Sequence, residues 1–175
     1  MKREDKYNDY EGFVEKFKPK KTTDDCYTPP LIYEAVKDWV CKEYGVNEKK
    51  IVRPFYPGGD YEKFDYSDGK VVVDNPPLSI LAKILDFYIE KNIPFFLFGG
   101  GLVLFSTLAK RKCCAIITDS NITYENGAKV KTGFLTNLDE CKVRTSVELR
   151  KAIEKAQLKT EQSKKCQNTV TQKKS

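Results

Sequence analysis

Histidine is missing from the 175 residues of this chain. Its absence removes Ser-His and Cys-His catalytic arrangements, histidine general bases and the commonest metal ligand. The six cysteines, at 26, 41, 113, 114, 141 and 166, form no C-x-x-C pair, so no metal is expected and the thiols read as reduced packing residues. In a strand, Cys113 and Cys114 would face opposite sides. Long hydrophobic runs are also lacking. The longest apolar stretch, Ile93 to Leu104, is cut by Pro94 and by Gly99-Gly100-Gly101, and a bilayer span needs about 18 apolar residues. Residues 1–21 mix Lys with Glu and Asp and hold no apolar core segment, so they are no secretory signal. The expectation is a cytoplasmic protein that enters no membrane.

What is present suffices for a core. Apolar residues make up 40% and aromatics 12% of the chain, and a chain of this size buries about two-thirds of its unfolded surface. The net charge of +6 is uneven: residues 158–175 hold five Lys and one Glu, leaving +2 for the rest. Three segments follow: a polar arm over 1–23, a single domain over 24–157, and a basic tail over 158–175 expected to be disordered and solubilising, with a loose attraction for phosphates as its other reading.

The elements can be placed by periodicity. Thr28 is positioned to cap a helix opening with proline and carrying Leu31, Ile32, Ala35, Val36, Trp39 and Val40 on one stripe, with Gly45 as its stop. Ile51-Val52 is a short strand running into a loop over 53–60, and Val71-Val72-Val73 is a continuous buried-type strand ended by Pro76-Pro77. Ser79 is the candidate cap of a second helix with Ile80, Leu81, Ile84, Leu85 and Tyr88 on one face. Phe95 to Phe98 is a strand, 102–108 a short helix, and 114–118 a strand. Residues 130–135 pair back through a turn at Asn126-Gly127. Thr145 and Glu148 form a capping box ahead of a last helix bearing Leu149, Ala152, Ile153 and Ala156.

Strands alternating with helices predict an α/β fold: a mainly parallel sheet, helices on both faces, and a C-terminal antiparallel hairpin adding an edge strand. Ligands of such sheets bind beyond the carboxyl ends of the strands. The loops 53–60, 74–79 and 98–101 occupy those positions.

The segment Asp74-Asn75-Pro76-Pro77-Leu78-Ser79 carries the sharpest chemistry. An amide followed by two prolines at a strand end makes a rigid loop. The Asn75 side-chain oxygen and the Pro76 carbonyl can together accept hydrogen bonds from an exocyclic aromatic amine, localising its lone pair and stabilising the charge that develops as a methyl group arrives. The plainer alternative is a proline-terminated strand running into a capped helix.

Asn75-Pro76-Pro77-Leu78 resembles the (Asp/Asn/Ser)-Pro-Pro-aromatic motif of amino-group DNA methyltransferases, especially those acting on adenine N6. Upstream, Asp25-Cys26-Tyr27-Thr28-Pro29-Pro30 is similar to the Tyr-Thr-Pro-Pro element of phage-type adenine-N6 methyltransferases, and Arg53-Pro54-Phe55-Tyr56-Pro57-Gly58-Gly59 stands where that family carries its cofactor loop. The resemblance covers about residues 24–138 and implies a reduced Rossmann-like methyltransferase sheet. It also implies S-adenosylmethionine as cofactor and DNA as partner. Tyr27, Thr28 and Pro29 would line the cofactor site, with Arg53, Phe55, Gly58, Gly59 and Asp74 completing it. Asn75, Pro76, Pro77 and Leu78 would hold the target base, extruded from its stack as such chemistry requires.

Three departures stand against that pattern. Leu78 replaces the stacking aromatic, and Arg53 replaces the acidic residue of the cofactor loop, although its charge suits the cofactor carboxylate. Only Tyr56 to Lys70 separate two parallel strands where the family has two more strand–helix units, and one crossover already takes about a dozen residues. Asp60, Asp65 and Asp68 are the nearby stand-ins for the acid that grips the cofactor ribose. The aromatics of 53–66 suit base stacking or, alternatively, lid or interface packing. Gly99 to Gly101 lacks phosphate-loop spacing and reads as close packing or a hinge. Two functions stay open: an adenine-N6 DNA methyltransferase of phage or mobile-element type, or a catalytically inactive methyltransferase-like accessory or inhibitor that binds nucleic acid or a host protein.

Overall fold

The computed structural model describes residues 27–55 and 59–172. The polar arm, Cys26, Tyr56, Pro57 and Gly58 lie outside them.

Strands β1 (Ile51–Val52), β2 (Val71–Asp74), β3 (Phe95–Gly100), β4 (Cys114–Thr123), β5 (Lys129–Thr136) and β6 (Val143–Thr145) form one mixed sheet in the order β1-β2-β3-β5-β4-β6. The β1–β2, β2–β3 and β4–β6 pairs are parallel, whereas β5 runs antiparallel to both its neighbours. Helices α1 (Pro30–Tyr44), α2 (Leu81–Glu90), α3 (Gly101–Leu108) and α4 (Val147–Gln172) cover the two faces. The fold is α/β. The hairpin departs from expectation in one respect: its second arm is an interior strand. Residues 132–136 are buried throughout, because β5 is sandwiched between β3 and β4. The edge falls to β6, three residues too short and too polar to announce themselves.

Strand alternation divides the core. Val71, Val73, Phe96, Phe98, Cys114, Ile116 and Phe134 point to the face covered by α1 and α4. Val72, Phe95, Leu97, Ala115 and Leu135 point to the other, covered by α2 and α3. Cys113 and Cys114 fall on opposite faces. Burial of both raises their thiol pKa values, that of Cys114 to about 11, which keeps them protonated.

Between β1 and β2 the chain must make a parallel crossover, and the described residues of 53–70 form neither helix nor strand. Aromatic rings do the covering instead. Phe55 lies 5.5 Å from Tyr61 and Tyr61 5.5 Å from Phe87; Tyr66 lies 5.6 Å from Tyr88, with their hydroxyls 3.1 Å apart. These residues of the loop are packing residues, the lid-like alternative of the two open from sequence.

The helix ends correct several expectations. The N-cap of α1 is Pro29, with Pro30 at N1 and no side-chain cap; Thr28 lies one residue too early. Gly45 closes that helix in the left-handed region at φ 65°, as expected. Ser79 sits inside a 3-10 turn, Leu78–Ile80, which places Ile80 at the cap of α2. The cap of α4 is Ser146, whose Oγ accepts from Leu149 N–H at 3.1 Å, because Thr145 is still paired in β6. The described residues of the expected tail, 158–172, are helical and not irregular: α4 continues to Gln172. Residues 147–172 contain no glycine or proline and are rich in Lys, Glu and Gln, all good helix formers. No helix among the described residues is long and apolar enough to cross a membrane.

Candidate functional site

The parallel strands β1, β2 and β3 all release their chain at one end of the sheet, and three loops meet there. The centre of that end is Asp74, the last residue of β2, paired in register with Leu97 of β3 and 2% exposed. Its Oδ2 accepts from Phe55 N–H at 2.9 Å; its Oδ1 accepts from Asn75 N–H at 2.9 Å and from Arg53 Nε–H at 3.3 Å. One carboxylate thereby clamps the exit of β1 to the exit of β2. Burial pushes its pKa up, opposed by the Phe55 N–H bond and the Arg53 charge. The Arg53 guanidinium carbon also lies 3.8 Å over the centroid of the Tyr33 ring, a cation–π contact. Tyr33, which the helical stripe passed over, donates its hydroxyl to the Val73 carbonyl at 3.0 Å, fastening α1 to β2.

The other expected residues fall as follows. Pro76 is buried, Asn75 and Leu78 are half-buried, and Pro77 opens the 3-10 turn. Thr28 is buried, and its Oγ has no hydrogen-bond partner among the described residues. Pro29 is buried at the head of α1, while Tyr27 is 53% exposed and its carbonyl accepts from Glu125 N–H in the hairpin turn. Gly59 is exposed and Gly58 is outside the described residues. The structure therefore joins Arg53, Phe55, Asp74 and Asn75 directly, with Tyr33 added. Tyr27 is anchored at the hairpin turn. Asp60 and Asp65 hold Lys63 and Lys70 in exposed pairs. Among the described residues no group of three or more Cys, Asp or Glu is placed to hold a metal ion.

Beside the motif loop lies a feature that sequence reading missed. A cleft of about 650 Å³ opens between α3 and the β4–β5 hairpin, walled by Leu78, Leu104, Phe105, Ile117 and Val130, with Lys129, Lys131 and Asp119 at its charged positions. Along the cleft, glycines let Leu104 of α3 pack closely against the sheet. A Cβ at Gly99 would meet Leu104 Cδ2 at 3.2 Å, and one at Gly133 would meet Leu104 Cδ1 at 2.5 Å. Within the Gly99–Gly101 run the close packing is at Gly99; a Cβ at Gly100 would lie 3.7 Å from Leu78 Cδ1 and one at Gly101 3.4 Å from the Lys131 carbonyl, both ordinary contacts. Phe105 is 62% exposed, one position off the buried Leu104–Leu108 stripe; that break in periodicity is the signal that could have found it. The hairpin bulges here: Ile116 pairs with Phe134 and Ser120 with Thr132, so 117–119 bow out opposite Gly133, and Asp119 takes a φ of 55°.

No protein-family model, curated protein or solved structure matches the chain.

Proposed function

We propose that this chain is a Rossmann-like, S-adenosylmethionine-dependent adenine-N6 DNA methyltransferase of the phage or mobile-element type, in reduced form. The observation that carries the reading is the Asp74 clamp. It holds the Asn75-Pro76-Pro77 loop at the carboxyl end of a parallel strand, tied to the loop leaving the neighbouring strand. The sheet offers its ligand-binding end at the same place. The buried Thr28 hydroxyl, without a hydrogen-bond partner among the described residues, supports a polar ligand at the head of α1.

Thr28, Pro29 and the Arg53–Phe55 loop would hold the cofactor, which when bound supplies an electrophilic methyl group. Asn75 Oδ1 and the Pro76 carbonyl accept the amino hydrogens of the base and turn the nitrogen lone pair toward the methyl donor. Prolines on both sides of the Pro76 carbonyl keep it from drifting. Asp74 is a positioning residue: its oxygens face three donors of the chain itself.

A second reading has its own support. The Arg53 guanidinium is held by Asp74 and by the face of Tyr33. The 53–70 crossover is packed by rings where the resembled family has further strand–helix units. These features suit an inactive methyltransferase-like accessory or inhibitor that binds nucleic acid or a host protein. Calorimetry of the full chain with S-adenosylmethionine separates the two. Micromolar binding, retained in Asn75→Ala while methyl transfer to DNA is lost, supports the enzyme. Silence at millimolar cofactor refutes it and leaves the accessory role.

A further inference from the structure

The cleft between α3 and the hairpin has the chemistry of a base-binding platform. Its volume lies inside the usual range for small-molecule sites, about 300–1,000 Å³. Its walls are apolar, and the aromatic ring at its rim is exposed although an apolar floor lies alongside. The charged positions are two lysines and one aspartate, and Thr132 is the uncharged polar one. Asp119 is paired with Lys131 at 2.5 Å, so the balance at the cleft is one positive charge, from Lys129. An aromatic face beside apolar walls and a net cation fits a flat heteroaromatic ring attached to a phosphodiester. It does not fit a cationic or purely aliphatic guest as well.

We propose that this cleft seats an unpaired nucleobase of a DNA strand, stacked on Phe105, with Lys129 on the adjoining phosphate. The choice of DNA rests on the functional reading above; the cleft itself does not. Leu78 is the wall shared by the cleft and the Asn-Pro-Pro loop. Phe105 therefore contributes from α3 the stacking face that position 78 lacks. Stacking is tolerant of base identity because every base has a π-face. The bulge at 117–119 turns Ile117 and Asp119 toward the cleft and gives the hairpin wall its curvature. The contribution of Lys129 is electrostatic and falls with salt.

The test is fluorescence anisotropy of the full chain with a labelled single-stranded oligodeoxyadenylate of about a dozen nucleotides. Phe105→Ala is expected to weaken binding about 5- to 150-fold, and Phe105→Trp to keep it. Lys129→Ala is expected to lower the dependence of log affinity on log salt by about 0.7. Phe105 is largely exposed, so its alanine variant keeps the core intact, which a thermal melt of the variant checks. Wild-type silence toward the oligonucleotide, or a Phe105→Ala change below about twofold, overturns the proposal. So does concentration-dependent dimerisation abolished by Phe105→Ala, which would give the cleft to a second copy of the chain. Cofactor calorimetry is read separately: a wild type that binds the oligonucleotide but no S-adenosylmethionine loses the enzyme reading and keeps the cleft, and the reverse pattern loses only the cleft.

Discussion

Replacing Asp74 by asparagine isolates the clamp at the site with almost no change of shape. The carboxylate receives Phe55 N–H and Asn75 N–H, each at 2.9 Å, and Arg53 Nε–H at 3.3 Å. An amide has one acceptor oxygen. Whichever way it turns, its NH2 faces a donor, either Phe55 N–H or the Asn75 and Arg53 pair. One hydrogen bond to a charged group is lost, about 1.5–3 kcal/mol, and a buried N–H is left unsatisfied, about 1–3 kcal/mol. Two effects reduce the sum: Arg53 is 35% exposed and finds water, and the desolvation cost of burying a carboxylate disappears. The net expectation is a loss of about 2–3 kcal/mol at neutral pH, roughly 5–10 °C in melting temperature for a domain of this size. The pH dependence has a definite sign. Burial raises the folded pKa of Asp74 above its ordinary 3.8, so between those two values the native state holds the proton more tightly than the unfolded chain does. Its contribution to stability therefore grows as pH falls through that window. Shifts at other carboxylates, such as Asp86 lowered by Arg111, are common to both proteins and cancel. Thermal melts of wild type and variant followed by circular dichroism from pH 7 downward measure the gap, which should widen in acid. A gap that narrows would mean that the N–H bonds and Arg53 outweigh burial. A neutral-pH shift under about 2 °C would refute the clamp altogether.

Three further outcomes follow from the geometry. Gly133→Ala places a Cβ 2.5 Å from Leu104 Cδ1 and 3.2 Å from the Ile116 carbonyl; overpacking should cost about 1–3 kcal/mol in urea denaturation, and Leu104→Ala should cancel part of that cost in the double mutant. Ser146→Ala removes the hydroxyl that accepts from Leu149 N–H and should cost about 1 kcal/mol, with serine-to-aspartate substitution largely retaining it. Truncation after residue 158 should reduce helical ellipticity yet leave the melting temperature within about 2 °C, because the described residues of α4 from Leu158 to Lys165 are mostly exposed.

Periodicity made most of the layering legible. Of the α1 stripe, Ile32, Val36, Trp39 and Val40 are buried, Ala35 partly so, while Leu31 is 44% exposed; of the α2 stripe, Leu81, Ile84, Leu85 and Tyr88 are buried and Ile80 partly so, and the two stripes lie on opposite faces of the sheet. The loop that carries the motif also lies at the carboxyl end of the central strands. What escaped were choices decided by tertiary partners. Nothing local distinguishes an edge arm from an interior one, so the place of β5 between β3 and β4 had to come from the fold. Tyr33 stood outside the apolar stripe of α1, and its hydroxyl gained meaning only when Val73 came within reach. Caps shifted by one residue at Thr28 and Thr145 because a proline and a strand pairing respectively took precedence. The cleft was invisible because its walls come from four segments far apart in sequence.

The placement of β5 also sets an order of events during synthesis. When Phe95-Phe96-Leu97-Phe98 leaves the ribosome, β2 is available to cover one edge of the strand, but the partner for the other edge ends at Thr136. Until that residue is free to fold, four large side chains stand on an unsatisfied strand border, in a segment with the hydrophobicity and absence of charge that favour intermolecular pairing. The nascent chain therefore passes through an interval of exposure that hairpin closure alone ends. Chains released early, between residues 100 and 129, should be the ones that precipitate or recruit chaperones.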